Sequence, residues 1–551
     1  MAQTIHLTLP TEATPLIRKA AELLQRTINE RSGARLVPEN GELTLELALQ
    51  PGLGAEGFEI ADGPQNTVRV LANDERGVLY GVGKLLRSSR YSSEGFEVGT
   101  WRGVSVPQKS VRGIYFATHF HNFYHDAPLE KVQRYVEELA LWGINTLSVW
   151  FDMHHYESFQ DPAAQEMITR LQGILSTARE VGITPSTGFL ANEGYAGSPP
   201  ELRATWGCGD RHLPAHYHTE LCPNVPGARD QLLRWTKERL VPFVEAGLGY
   251  LWLWPYDQGG CCCHQCHPWG GNGFLKCAEQ VARLAKREIP DLKIVLSTWD
   301  FNSYYPGEWE GLAQAMAEDA SWVDYIMADG REGHFPEYPV KHGSPGGLPL
   351  IGFPEISMIG HTIWGGWGAN PAPVMMQGLW NQGKGLLSGG YPYSEGIFED
   401  LNKMLFAGFY WDPDRSAEEI VREYVAYEFS PEVVEEVTRA IGILERTLPR
   451  AWGQTGEEPR FPIERPEEIE EAEALLWAAD ARLPEWARRA WRWRILLLRG
   501  IIDGELLRND FHTSEAAETA LEELTVIYHA EHAGRYVAPP TKAARRVQRP
   551  C

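Results

Sequence analysis

Between residues 111 and 387 short apolar runs alternate with amphipathic stretches, and this alternation limits the fold more than any other feature of the sequence. The runs are residues 113–116, 146–150, 184–189, 250–254, 293–297, 325–327, 350–353 and 385–387. Helical apolar spacing marks residues 129–141, 164–180, 229–243, 273–287, 308–320 and 371–381 between most of them. Runs this uniformly apolar suit strands covered on both faces, as parallel sheets are. Eight such strands alternating with helices over roughly 300 residues predict an α/β fold, a (β/α)8 TIM-like barrel. Residues 333–349 are rich in Pro and Gly, so the sixth helix is expected to be missing or replaced by a loop.

The flanks read differently. Before the barrel, residues 4–9, 43–49 and 67–71 are strand-like, 13–31 and 74–86 are helical, and 92–108 reads as a linker. After it, residues 416–428, 431–448, 466–481, 484–508 and 514–532 carry helical spacing. The expected organisation is a small N-terminal α/β accessory domain (1–105), a catalytic barrel (106–412) and a C-terminal α-helical domain (413–551). A length of 551 residues suits two or three domains.

Asp and Glu number 74 against 51 Lys and Arg, a formal charge of −23. That balance argues against nucleic acid or an anionic membrane as partner, because both select a basic face. The sequence shows neither a signal-peptide pattern at its start nor an apolar run long enough to span a bilayer, so a cytoplasmic protein is expected. A homodimer is compatible with this composition.

In a (β/α)8 barrel the chemistry lies at the C-terminal ends of the strands. The polar and aromatic residues there are His119 and His121, Trp150 and Asp152, Asn192 and Glu193, Trp254 and Asp257, Trp299 and Asp300, Asp329, Arg331 and Glu332, Glu355, and Tyr393 and Glu395. Trp252 within the fourth run, and Trp364 and Trp367 in Gly-rich sequence, are further aromatics that could stack on a sugar. Carboxylates beside aromatic platforms are what glycosidic bond cleavage needs: one acid protonates the leaving oxygen, and a second carboxylate activates water or attacks. Each position competes with a plainer role, as loop cap, ion-pair partner or core aromatic. Asp257 stands out because it ends a Trp-lined run and precedes Gly259-Gly260. Glu355 stands out because a carboxylate in an apolar run must be paired or functional.

Directly after Asp257 come Cys261-Cys-Cys263-His-Gln-Cys266. Three cysteines at chelating spacing predict a Zn2+ site. Its fourth ligand is open among Cys222, Cys208, His264 and His267, with Cys222 preferred. Such a metal either braces the loop or stands in the active site.

The segment Val68-Arg-Val-Leu-Ala-Asn-Asp-Glu-Arg-Gly77-Val-Leu-Tyr80 resembles the accessory domain of family 20 hexosaminidases and family 67 α-glucuronidases. Asp257-Gln-Gly-Gly, Ala328-Asp-Gly-Arg-Glu332, Glu355 and the Trp411-Asp-Pro-Asp junction make the whole layout similar to the α-glucuronidases. The resemblance implies an exo-acting glycoside hydrolase releasing a terminal uronosyl or N-acetylhexosaminyl residue from a carbohydrate substrate. It places the proton donor at Asp257, with Glu355 and Asp329 or Glu332 as further carboxylates. The chain departs from the α-glucuronidases in having Asp rather than Glu as donor, and in its cysteines. The alternatives are a substrate-assisted β-N-acetylhexosaminidase, a zinc-dependent glycosidase and a non-catalytic carbohydrate-binding barrel.

Overall fold

The computed structural model describes the chain except residues 120, 210, 214–215, 258, 331–332, 357–368, 448–465, 511, 513 and 531–551. It opens with a six-stranded sheet, ordered Arg35–Val37, Thr4–Thr8, Leu43–Leu49, Thr67–Ala72, Phe58–Gly63, Gly103–Ser105. Helices Pro15–Arg31 and Glu75–Ser88 pack together beside it, capped by the Thr14 and Asp74 side chains, which accept from the Ile17 and Gly77 amides. The expected linker is structured. Gly103–Ser105 pairs with Phe58–Gly63 at the sheet edge, where three residues are too few to show a period.

Eight parallel strands then close a barrel: Val111–Phe116, Thr146–Trp150, Thr184–Leu190, Tyr250–Trp254, Lys293–Ser297, Tyr325–Gly330, Leu350–Pro354 and Leu387–Gly390. The first strand pairs with both the second and the eighth, so no barrel edge is left open. All residues of the first two strands are buried, which accounts for their largely apolar character, and the charged exception, Arg112, is paired with Glu56.

Three differences from the expected layout have physical causes. The sixth strand runs on to Gly330, which places Asp329 inside the sheet, paired with Phe353, rather than after it. The eighth strand lies at Leu387–Gly390 instead of 385–387. Gly389 has φ +121°, and a Cβ there would stand 1.7 Å from the Val111 carbonyl oxygen, so closure demands glycine, which carries no hydrophobic signal. The sixth helix is shortened to Glu337–His342 rather than absent.

Beyond the helix Asp400–Trp411 the chain is helical: Ala417–Glu428, Val434–Arg446, Pro466–Asp480, Trp491–Arg508 and Glu515–Tyr528. Ser416 and Glu419 form a reciprocal capping box at the first of these. The expected helix over 484–508 is broken into Glu485–Arg488 and Trp491–Arg508. No helix among the described residues is long and apolar enough to cross a membrane.

Candidate active site

A pocket opens at the C-terminal ends of the barrel strands. Tyr115, His119, Trp150, Asp152, Leu190, Tyr217, Trp252, Trp254, Asp257, Trp299, Phe353 and Tyr393 line it. The indoles form its floor, with Trp254 in ring contact with Trp150, Trp252 and Trp299 at 5.3–6.3 Å. Gly188, between Trp150 and Trp252 in the strand register, makes room for them. A Cβ at Gly188 would stand 2.6 Å from the Trp150 ring. Gly188→Ala is therefore expected to push Trp150 aside at a cost of about 1–3 kcal/mol. A denaturation curve, with substrate KM as a second reading, would check it; an unchanged protein would show that the floor is loosely packed.

Asp257 sits at the tip of the fourth strand with φ +64°. Asp is among the few residues that tolerate this left-handed conformation, and such strain gathers where a side chain must be aimed. The Asp257 side chain is exposed on the pocket rim. Across the pocket Asp152 is buried, and its Oδ1 accepts from Trp150 Nε1 at 2.8 Å, which fixes that indole. Burial alone would raise the Asp152 carboxyl, but the nearby His119, His155 and His154 rings hold it well below the usual carboxylate range. Burial in turn pushes the His119 ring below the ordinary imidazole range, against the pull of Asp152. The Tyr217 ring stacks on His154 at 3.3 Å. Tyr115 lies at the centre of this charge: burial raises its hydroxyl well above the ordinary range, and Asp152, Asp257 and Glu395 add to the effect.

Of the residues expected from sequence, the pocket brings together His119, Trp150, Asp152, Trp252, Trp254, Asp257, Trp299 and Tyr393, while Trp367 lies outside the described residues. Glu355 and Glu395 are buried beside strands that contribute to the pocket and are not part of its described lining. The Glu355 backbone bridges to Tyr393 and donates to the Gly330 carbonyl, and Glu395 Oε1 accepts from Tyr393 Oη at 2.7 Å. Asp329 shares its sheet face with Phe353, which lines the pocket. His121 belongs to an adjoining cleft that shares His119 and Asp152 with the pocket.

Two expected sugar contacts sit elsewhere. Asn192 is fully buried and braces the fourth loop, accepting from the Gly260 amide and donating to the Gly260 and Leu221 carbonyls. Asp300 accepts from Tyr304 Oη at 3.3 Å and does not line the pocket. Glu193 is also buried, pairing with Arg239 at 2.9 Å and accepting from the Met153 amide. Arg331, Glu332 and Trp364 lie outside the described residues. Sequence reasoning overlooked Tyr115, Leu190, Tyr217 and Phe353. Tyr115, Leu190 and Phe353 are strand residues indistinguishable from core by pattern, and Tyr217 stands in an irregular segment without a period.

Among the described residues, three groups of side chains have metal-ligand geometry. Cys222, Cys261, Cys263 and Cys266 bring four sulfurs within 4.8 Å of one another, and the same limit holds for Asp152, His154 and His155 and for His121, His125 and Asp126. Cys208, His264 and His267 are not part of the sulfur group.

No family model matches the sequence, and no curated protein matches it. Solved structures do. A family GH115 4-O-methyl-alpha-glucuronidase with specificity for decorated arabinogalactans is 13% identical, with a TM-score of 0.63 over 99% of this chain and 80% of its own. A family 89 glycoside hydrolase from Clostridium perfringens, in complex with PUGNAc, is 12% identical, with a TM-score of 0.62 over 94% of this chain and 65% of its own. A GH20 exo beta-N-acetylglucosaminidase from Vibrio harveyi is 11% identical, with a TM-score of 0.52 over 81% and 75%. At such identities the likeness is one of fold, and the expected (β/α)8 architecture is the one these proteins share.

Proposed function

We propose that the protein is an exo-acting glycoside hydrolase that removes one terminal sugar by carboxylate acid/base chemistry. The observation that carries this reading is Asp257, held in a left-handed backbone on the rim of a small pocket walled by aromatic rings. In the proposed reaction Asp257 gives its proton to the glycosidic oxygen as the bond to the anomeric carbon breaks. Glu355, with Asp329 on the neighbouring strand, takes the proton of the attacking water. The indoles stack on the sugar ring, and Asp152, kept ionised by its histidines, accepts from sugar hydroxyls. The adjoining cleft, lined by His121, His125 and Tyr156, receives the rest of the substrate.

The described lining favours a neutral sugar. It includes eight aromatic rings and two carboxylates but, among the described residues, no Lys or Arg. A terminal N-acetylhexosaminyl group fits this better than a uronosyl group, whose carboxylate calls for a cation. In that form the substrate's own acetamido oxygen, oriented by Glu355 and Asp329, attacks the anomeric carbon as the glycosidic bond breaks, and the water that gives up its proton then opens the resulting cyclic ion. The uronosyl alternative rests on Arg331. A panel of aryl glycosides decides between them. Release of aryl alcohol from an N-acetylhexosaminide is the expected result, cleavage of a uronide instead would shift the assignment to Arg331, and binding without cleavage of any member would leave a carbohydrate-binding barrel.

A further inference from the structure

We infer that Cys222, Cys261, Cys263 and Cys266 bind one zinc ion in a closed tetrahedral site that clamps the loop after the third barrel strand to the loop after the fourth. Cys222 Sγ lies 3.9 Å from both Cys263 Sγ and Cys266 Sγ, and all four sulfurs lie within 4.8 Å of one another. A tetrahedron with Zn–S bonds of about 2.3 Å has edges of about 3.8 Å. Two edges of the sulfur group therefore already match that tetrahedron, and the others fall within 4.8 Å.

The surroundings fit the same ion. The Cys266 and His267 amides both donate to the Cys263 carbonyl, which curls the Cys263–Cys266 segment into a tight knuckle. Asn224 Nδ2 donates to Cys266 Sγ at 3.0 Å, a contact that spreads the negative charge of a zinc-bound thiolate. Cys222, Cys261 and Cys266 are buried, while Cys263 is partly exposed and gives the ion a way in. Cys262 is buried too, but its backbone amide is tied to the Thr205 carbonyl and its sulfur stands outside the group. On binding, the thiols give up their protons to solvent and fill all four positions. No position is left for a reactive water, so the ion is structural.

Its role follows from place. Cys261 comes four residues after Asp257, and Gly260 between them is held on both its amide and its carbonyl by Asn192. The ion anchors the far end of that short segment, and Cys222 ties it to the loop that bears Tyr217. The site stands or falls independently of the glycosidase reading, because its readout is the metal itself.

The full-length protein, purified without chelator, is expected to hold about one zinc per chain by elemental analysis. Its Co2+-substituted form is expected to show the visible bands of a tetrahedral ion and the near-ultraviolet charge transfer of thiolate ligands. Cys222→Ser and Cys266→Ser are each expected to lose most of the metal. Should these variants fail to fold, the wild-type cobalt spectrum and a thiol count before and after chelation still decide. Cysteines paired as disulfides, four reactive thiols with no metal, an octahedral cobalt spectrum, or full metal retained in both serine variants would each overturn the site.

Discussion

Asp257→Asn is expected to lower kcat by about a hundred- to ten-thousand-fold on a glycoside with a poor leaving group, with folding stability unchanged. The variant isolates one property. Asn keeps the size of Asp and tolerates the left-handed φ of +64° that residue 257 adopts, so the loop keeps its shape. It has no acidic proton to pass to the departing oxygen. An aryl glycoside with a strongly acidic phenol as leaving group needs little protonation, so the loss there is expected to be far smaller. That contrast separates a general acid from a residue that only binds: a binding role raises KM for both substrates alike and leaves their kcat ratio unchanged. Equal losses on the two substrates, or none, would remove Asp257 from the proposed chemistry. Thermal melts of the two proteins exclude a folding effect.

Asp257 was readable from sequence because a barrel turns strand order into position: whatever follows a fully apolar run stands at the mouth of the barrel. The same rule found His119, Trp150, Asp152, Trp254, Trp299 and Tyr393, all of which line the pocket. It misjudged Asn192 because a polar residue after a strand has two possible duties, to face the pocket or to satisfy nearby backbone, and one-dimensional pattern does not distinguish them. Phe353 and Tyr115 escaped for the opposite reason: inside a barrel the top layer of core side chains is also the pocket floor. Cys222 precedes Cys261 by 39 positions, so spacing left the fourth thiol open, and only the folded loops bring it to its partners. The eighth strand was displaced because closure is made by Gly389 and Gly390, whose function is to have no side chain.

The second large effect is expected far from the pocket. Arg492→Met should destabilise the protein by about 3–5 kcal/mol, because it takes from three carboxylates the one cation they share. Arg492 is the second residue of the helix Trp491–Arg508 and is 5% exposed. Its Nε bonds Asp400 Oδ2 at 2.7 Å, its Nη1 bonds Glu138 Oε2 at 2.7 Å, and Glu428 lies 3.9 Å away. These partners belong to three helices: Leu129–Leu141, which follows the first barrel strand, Asp400–Trp411 and Ala417–Glu428. Tyr135 and Tyr424 also donate to Asp400, and Arg31 of the N-terminal helix reaches Glu428 at 3.0 Å. One guanidinium thus holds the helical region to the barrel, in a cluster that also touches the N-terminal unit. Burial alone would raise the Asp400 carboxyl, but Arg492 and Lys403 hold it below its ordinary value of 3.8. A depressed carboxylate contributes stability that is present above that ordinary value and lost as pH falls through the folded one. In the variant the depression is relieved, so the stability gap between wild type and Arg492→Met should be full above that ordinary value and narrow as the pH falls below it, through the folded one. Urea unfolding at several pH values measures that gap. Adding Asp400→Asn to Arg492→Met should recover part of the loss, since it removes one of the stranded charges. A gap that stays constant with pH and is not relieved by Asp400→Asn would mean that Arg492 acts through the stacking of its guanidinium on Tyr135 and Trp491 rather than through its ion pairs.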